Sequence, residues 1–519
     1  METKTKKELM RGDKILKTMQ DMEKNGNAWH TKRDIRDACM RARAYYRPDE
    51  FEDDLNHLVQ GKSLHQEGDR YYRMEIWECE YTVANRIAEI ISEKHPRNLT
   101  YLIEGLVVKG MVLNEKQREA IRLALSNKVS LILGGAGTGK TTLIEGIVQC
   151  LKRHKGWALC APTGKASRNL TQRSGLASST VYSLLRKTPN DNFMQVEKMD
   201  DLRMIIVDEA SMLTLKEFAG LVLAAPDHCK IVLVGDYNQL LSVGAGNILP
   251  NLMTLNIPFV KLSVCHRQGE NAGALYNNVH YFDRCTNASK LEFDSSFEYT
   301  EISNPRILME VIANEAARNY KINESFQVIV PRNETVNYLN ARIQDMLNPV
   351  TYRQDGSKRE ISIGEGEKAK RFRNGDRVMM LKNKKSFNYF NGDIGTLHIL
   401  DYDKDNPVYS ISFPDGRRVN LDGKSGFHDM KLAYAITIHK SQGSEYEKVL
   451  FCLTMSDSQM LYRNLIYTAI SRARQEVKIV GEMEAIDIAL KQEAPARNSG
   501  LVERVERKMQ MIEEKREAM

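Results

Sequence analysis

Apolar and polar positions along this chain follow two periods, and the points where the period changes mark its elements. KVSLIL (128–133) is a short apolar, β-branched run of the kind that forms a buried parallel strand. Soon after it, Leu143, Ile144, Ile147, Val148 and Leu151 recur at helical spacing, so a helix follows the strand across a glycine-rich stretch. Similar apolar density predicts strands in LRMIIVDEASM (202–212), KIVLVGD (230–236), FQVIVP (326–331), KVLFCLT (448–454) and VKIVGE (477–482). Residues 350–429 change character: FRNGDRVMMLKN, FNGDIGTLHIL and YSISFPDGRRVN are dense in strand and turn signals. At the N-terminal side, ILKTMQDMEKNG, TKRDIRDACMRARAYY, RPDEFEDDLNHLVQ and GKSLHQEGDRYYR read as three helices and a small hairpin, an order consistent with a winged helix. MEIWECEYTVANRIAEIISEK reads as a further helix. The last stretch, VERVERKMQMIEEKREAM, alternates charge at helical spacing, which predicts an exposed helix.

The glycine-rich stretch carries the first chemistry. LGGAGTGKTT (133–142) matches the phosphate-loop spacing GxxxxGK[ST] without a mismatch. It is not GxGxxG, because Lys140 stands where that pattern needs its last glycine. Gly134, Gly135, Ala136, Gly137, Thr138, Gly139 and Thr142 would line the cradle. A strand, this loop and a helix N-terminus together aim backbone N–H groups at a phosphate; Lys140 adds charge toward the outer phosphates and Thr141 a hydroxyl for magnesium. Hydrolysis also needs a magnesium carboxylate, a base and a cation. Asp208 and Glu209, at the end of an apolar strand, suit the first two roles, with Asp208 on the metal and Glu209 polarising water. Gln239, beyond the strand KIVLVGD, could sense the γ-phosphate. Arg267 and Arg472 are candidates for the charge that develops, since a planar guanidinium keeps its charge and offers two donors. An isolated arginine is ordinarily a solvated side chain, so the weight falls on context.

Composition changes this picture little. The chain has 519 residues, 42% hydrophobic and 28% charged, as in an ordinary soluble protein of three or four domains. A formal charge of +7 permits a polyanionic partner without requiring one. The eight cysteines are scattered, with no CxxC pair, which argues against zinc and a disulfide framework and fits a reduced, cytoplasmic protein. No signal peptide or apolar run of membrane-spanning length is visible, so no membrane association is expected.

Taken in order, these stretches resemble the motifs of superfamily 1 helicases. LNEKQREAI (113–121) looks like the adenine-reading glutamine motif, with Gln117 as reader. GGAGTGKTT is the phosphate loop, APTGKAS (161–167) resembles the first strand-contacting motif and IIVDEASM the acidic one. VGDYNQLLSVGAG (234–246) is similar to the coupling motif, and VCHRQ to the first arginine motif. YAITIHKSQGSEYEKV (434–449) and LIYTAISRAR (465–474) resemble the last two. The wording of APTGKAS, IHKSQGSE and YTAISRA is that of the RecD-like branch, group 1B, which includes RecD, Dda and conjugative relaxase-helicases. Leu241 and His266 depart from the proline and aromatic common there.

The resemblance implies an α/β fold of two RecA-like phosphate-loop domains with parallel sheets, an inserted small β domain and a mostly helical N-terminal domain. The first motor domain would span 101–260, with a pin-like insertion at 184–201 whose turn residues Pro189 to Asn192 suggest a hairpin. A plain connecting loop is the alternative. The second would comprise 261–349 and 430–485, interrupted by an SH3-like domain at 350–429; residues 1–100 and 486–519 flank the motor. ATP would lie between the motor domains, with Arg267 and Arg472 reaching across, and Gly443 and Glu445 fall where relatives approach the nucleotide. Thr163 and Lys165, with Thr437, His439 and Ser441, would contact strand phosphates, which carry no sequence information. Lys382, Lys384 and Lys385 beside Phe387, Tyr389 and Phe390 would suit a single strand or, equally, a solvated loop.

The expected activity is therefore an ATP- and Mg2+-dependent DNA helicase moving 5′ to 3′ on single-stranded DNA and acting at single-strand/duplex junctions, with replication or repair proteins as candidate partners. An RNA-directed motor would ordinarily carry zinc-binding cysteine arrays. An ATP-gated clamp or scaffold would not need Glu209 and both arginines.

Overall fold

The strand Val129–Gly134 is buried at every position, as a strand covered on both faces must be. It lies in a parallel six-stranded sheet ordered Phe259–Leu262, Val129–Gly134, Lys230–Gly235, Met204–Val207, Trp157–Ala161 and Ser179–Thr180. Successive side chains point to opposite faces. Leu131, Leu133, Val207 and Leu233 enter one core with Ile76, Val83, Phe218 and Leu221. Ile132, Ile206, Val232 and Val234 enter the other with Ile121, Ile144 and Ile147. The helix Lys140–Leu151 begins at the lysine of the glycine loop, so the loop sits at its N-terminus.

The structure is a computed structural model that describes residues 6–42, 47–93, 103, 105–151, 156–188, 191–264, 273–352, 354, 356, 358–364, 369–403 and 406–518. The chain divides into two units. The first comprises Met1–Pro162, Leu170–Val264 and Pro495–Met519; the second comprises Thr163–Asn169 and Cys265–Ala494.

In the first unit, the N-terminal stretch forms the helix Lys6–Met22, the short strand His30–Thr31, the helices Lys32–Arg41 and Pro48–Gln60, and the hairpin Leu64–Glu67 with Arg70–Arg73. His30–Thr31 adds to that hairpin as a third strand. Thr31 caps the second helix through a capping box with Asp34. The tail folds as the helix Leu501–Glu517, whose Leu501 and Val505 are buried in the sheet's first core while most of its remaining length is exposed. Residues 184–201 contain no strand among those described. Their apolar side chains draw the segment inward: Phe193 is buried against Gly220 and packs edge-on to Tyr182, and the Met199 N–H donates to Ala224 O.

The second unit is built on a parallel five-stranded sheet ordered Phe297–Glu301, Ala473–Gly481, Tyr446–Leu453, Phe326–Val330 and Ala435–Thr437. Helices Pro305–Tyr320 and Asn333–Leu347 supply Ile312, Ala316, Leu339 and Ile343 to its core. Between Leu347 and Ala435 the chain makes a separate antiparallel sheet ordered Arg418–Asp422, Val408–Ser412, Ile394–Asp401, Arg377–Met380 and Met430–Leu432. That sheet has its own core around Phe372, Leu397, Tyr409, Ile411 and Phe427. No helix among the described residues is long and apolar enough to cross a membrane.

Candidate functional site

The phosphate loop follows directly from the end of the central strand. Gly137 and Gly139 have φ of +79° and +83°, conformations that side chains with a Cβ rarely adopt. Gly134 is equally constrained by space: a Cβ there would stand 2.5 Å from Thr138 Oγ1. Thr138 Oγ1 donates to Gly135 O at 2.9 Å, and the Lys140 ammonium donates to Gly134 O at 2.7 Å and Gly135 O at 2.8 Å. The lysine is thus folded onto its own loop, with Thr141 and Thr142 behind it in the first helical turn.

Asp208 and Glu209 stand just past the strand Met204–Val207. Burial and the neighbouring Glu209 charge raise the Asp208 carboxyl above the ordinary carboxylate range, while Lys140 and the Glu209 N–H pull it back. That N–H donates to Asp208 Oδ1 at 2.9 Å. Glu209 has φ +53° and ψ +39°, left-handed for a residue that is not glycine. A strained backbone of this kind costs on the order of 1–3 kcal/mol and persists where the surroundings hold it. Its Oε2 is buried without a hydrogen-bond partner among the described residues. Gln239 is buried beyond the next strand, and its Nε2 donates to Asp236 Oδ2 at 3.2 Å. Gln117 closes a capping box with Asn114, accepting the Asn114 N–H at Oε1 (3.0 Å). All of these residues belong to the first unit.

The candidate strand contacts fall in the second unit. Thr163 Oγ1 accepts the Ala166 N–H at 3.2 Å, and Lys165 donates to Gly392 O at 3.2 Å. Thr437 caps the short helix Ile438–Ser441 by accepting the Lys440 N–H, and Ser441 Oγ donates to Ile438 O. His439 is half-buried in that helix. Gly443 has φ +70°, and its carbonyl accepts Asn169 Nδ2. Glu445 pairs with Arg474 at 2.8 Å. Arg472 is buried and spends its guanidinium inside its own unit, on Thr468 O, Ser444 O and Ser471 Oγ. Arg267 lies outside the described residues.

One cluster escaped the sequence reading. Arg168, next to the last residue of the 163–169 segment, donates to both Asp393 oxygens at 2.8 Å and lies over the Phe390 ring at 4.5 Å. Asp393 also accepts the Phe390 N–H and stands 3.3 Å from Arg417. Phe390 presses on Gly164, where a Cβ would be 2.9 Å from the ring. Lys440 donates to Asn391 Oδ1 in the same turn, and burial lowers its pKa. The available signal was the FNGD turn beside a lysine- and aromatic-rich stretch, which fixes a local bend but names no distant partner.

Residues 112–283 match the family described as an AAA domain, and residues 432–480 match the UvrD-like helicase C-terminal domain. The ATP-dependent RecD2 DNA helicase of Deinococcus radiodurans is 31% identical over 410 residues, 76% of this chain and 52% of that protein. The RecBCD enzyme subunit RecD of Mycolicibacterium smegmatis is 27% identical over 84% of this chain and 82% of its own length. The chain thus spans about half of the first relative and about four-fifths of the second. A Bacteroides Pif1 structure bound to ssDNA aligns over 71% of this chain and 92% of that one, at 20% identity and TM-score 0.46.

Proposed function

We propose that the chain is a RecD-like helicase of superfamily 1B, an ATP-dependent DNA helicase that moves 5′ to 3′ on single-stranded DNA and opens duplex at a junction. The observation that carries the proposal is the pairing, in one sheet, of the phosphate loop with Glu209 in its strained conformation and with a buried, unpartnered oxygen. A carboxylate oxygen of that kind is poised to accept a proton from water. The residues present fit ATP with Mg2+: a loop turned by positive φ at Gly137 and Gly139, an ammonium donating to two loop carbonyls that a phosphate can replace, and a hydroxyl and a carboxylate in Thr141 and Asp208. Magnesium held by that pair would neutralise charge on the transferring phosphoryl group.

The chain's own residues do the rest. Lys140 would leave the Gly134 and Gly135 carbonyls for the phosphates. Asp208, with its carboxyl raised by burial, would ionise fully beside a cation. Glu209 would hold the attacking water, and Gln239, tethered to Asp236, would report the γ-phosphate to the loop that follows it. Thr163, Thr437 and Ser441 are the small hydroxyls proposed to meet strand phosphates; direction rests on the family resemblance.

The test is unwinding of two partial duplexes, one with a 5′ and one with a 3′ single-stranded tail. Opening of only the 5′-tailed substrate, lost in Lys140→Ala, is the expected result. A second reading, an ATP-driven translocase that does not split duplex, is favoured by the inward packing of Phe193 in the 184–201 segment. DNA-stimulated ATP hydrolysis with neither substrate opened would select it.

A further inference from the structure

The chain leaves the second unit at Ala494 and returns to the first at Pro495. Residues 492–500 have no regular structure, yet their polar groups are tightly engaged. The Ala28 N–H donates to Asn498 O at 2.7 Å, the Asn498 N–H to Asn27 Oδ1 at 2.8 Å, and Ser499 Oγ to the buried Glu80 at 2.7 Å. On the other side Asn251 Nδ2 donates to Ser499 Oγ at 3.0 Å. The returning strap is therefore bound both to the N-terminal helices and to the sheet domain.

Arg497 is the member of the strap that reaches the loop after Gln239. Its Nη2 donates to Ser242 O at 2.8 Å; its Nη1 donates to Gly246 O at 3.1 Å and Ser242 Oγ at 3.3 Å. One planar fork thus grips both ends of the segment 242–246, leaving Val243 exposed between them. The same segment is held from below, where the Leu215 N–H donates to Ala245 O and the Gly246 N–H to Gly26 O. The guanidinium lies so close to Gly26 that a Cβ there would stand 2.2 Å from Nε. No residue but glycine leaves room for the fork at that position.

We propose that Arg497 is a positioning residue for the loop 240–246: it sets the loop that joins Gln239 to the helix Ile248–Thr254, and it transmits to that loop any pull on Ala494 from the second unit. The inference rests on the helicase reading. Arg497 touches no reacting atom; it acts on the loop, so its loss should uncouple DNA from ATP turnover rather than abolish turnover.

The experiment measures ATP turnover with and without single-stranded DNA for the full chain, Arg497→Ala, Arg497→Lys and Gly26→Ala. Hydrogen exchange is followed at the Gly246 and Leu215 amides. Arg497→Ala should lower the ratio of DNA-stimulated to DNA-free turnover about tenfold, a normal size for coupling between sites, leave the KM for ATP within about twofold, and speed exchange at both amides. Gly26→Ala should do the same, since at φ +94° it strains the turn while its Cβ crowds the unaltered arginine, and the double variant should lose no more than Gly26→Ala alone. Arg497→Lys should recover part of the ratio, since an ammonium can serve one carbonyl of the two. Equal loss of both rates in Arg497→Ala, or unchanged exchange and ratio in a folded Gly26→Ala, would overturn the proposal. Should the unaltered chain show no DNA stimulation, the helicase reading fails instead, and amide exchange still judges whether Arg497 holds the loop.

Discussion

Replacing Glu217 by glutamine should remove a pH-dependent loss of stability from the first unit. Glu217 is the third residue of the helix Leu215–Ala224 and closes a capping box: its Oε2 accepts the Thr214 N–H at 2.9 Å and Thr214 Oγ1 at 2.8 Å. It is 2% exposed. Burial raises its carboxyl from 4.5 to about 7, against the two hydrogen bonds from Thr214. The folded chain therefore holds a proton that the unfolded chain releases between those values. The sign follows: this contribution is fully present below about pH 4.5, is lost as pH rises through about 7, and is constant above. At about 1.4 kcal/mol per pH unit, the loss amounts to about 3 kcal/mol. Glutamine can fill the same capping position and never ionises. Relative to the unaltered chain, Glu217→Gln should therefore gain about 3 kcal/mol between pH 4.5 and pH 8. All three tryptophans, Trp29, Trp77 and Trp157, belong to the first unit, so urea unfolding followed by their fluorescence reads this unit alone. Taking the difference at each pH cancels every other titrating group. A difference that stays constant within about 1 kcal/mol across the range would refute the reasoning.

Three further outcomes are expected. His30 is buried with its Nε2 unpartnered among the described residues, and burial lowers its pKa to about 4. Its contribution is present above about pH 6.5 and lost as pH falls toward 4, so His30→Phe should flatten the acid limb of first-unit stability by about 3 kcal/mol, read by the same fluorescence. In the second unit, Asp393→Ala leaves the Arg168 guanidinium with Asp415 only at 4.0 Å, while Arg417 keeps Asp415 at 2.6 Å; Arg168→Ala leaves Asp393 paired with Arg417. Calorimetry should therefore show the aspartate variant to be the less stable, by a cost of about 3–5 kcal/mol against roughly half that for the arginine. Glu209→Gln should keep nucleotide binding but slow hydrolysis about 10²–10⁴-fold; a rate within about tenfold of the original would remove Glu209 from the water-activating role.

The residues proposed to hold nucleotide stand at the strand ends that the sequence expected, because each is placed by its own neighbours. Lys140, Thr141, Asp208, Glu209 and Gln239 all follow closely on parallel strands, and apolar runs announce those strands. The spacing of the loop glycines is dictated by positive φ at Gly137 and Gly139, which sequence records directly. The hairpin expected at 184–201 shows the opposite case. Pro189 to Asn192 are sound turn residues, but a turn signal says nothing about what its flanks bury. Phe193, Met194, Val196 and Met199 carry too much apolar surface to project into water, and the helix Leu215–Ala224 offers Gly220 as a seat for the phenylalanine.

Two arrangements had no signal that names their partners. Arg168 and Asp393 stand 225 positions apart, and Arg497 and Ser242 stand 255 apart. Each side alone reads as a solvated charge or a polar loop residue. What the sequence does hold is the space each arginine needs: Gly164 under Phe390, and Gly26 under the Arg497 guanidinium. Gly26, at φ +94°, also closes the short helix Glu23–Asn25 as its left-handed cap, and its carbonyl is committed to Gly246. A glycine kept free of a side chain by a distant partner looks, in one sequence, like an ordinary turn. The tail was legible as a helix and illegible as a return to the first unit for the same reason. Helical spacing is set by neighbours three and four residues away, whereas the strap's position is set by Asn27, Glu80 and Ser242, none of which lies near it in the chain. The loop 240–246 is thus completed by the segment 495–500, and a truncation at Ala494 would remove the fork that holds it.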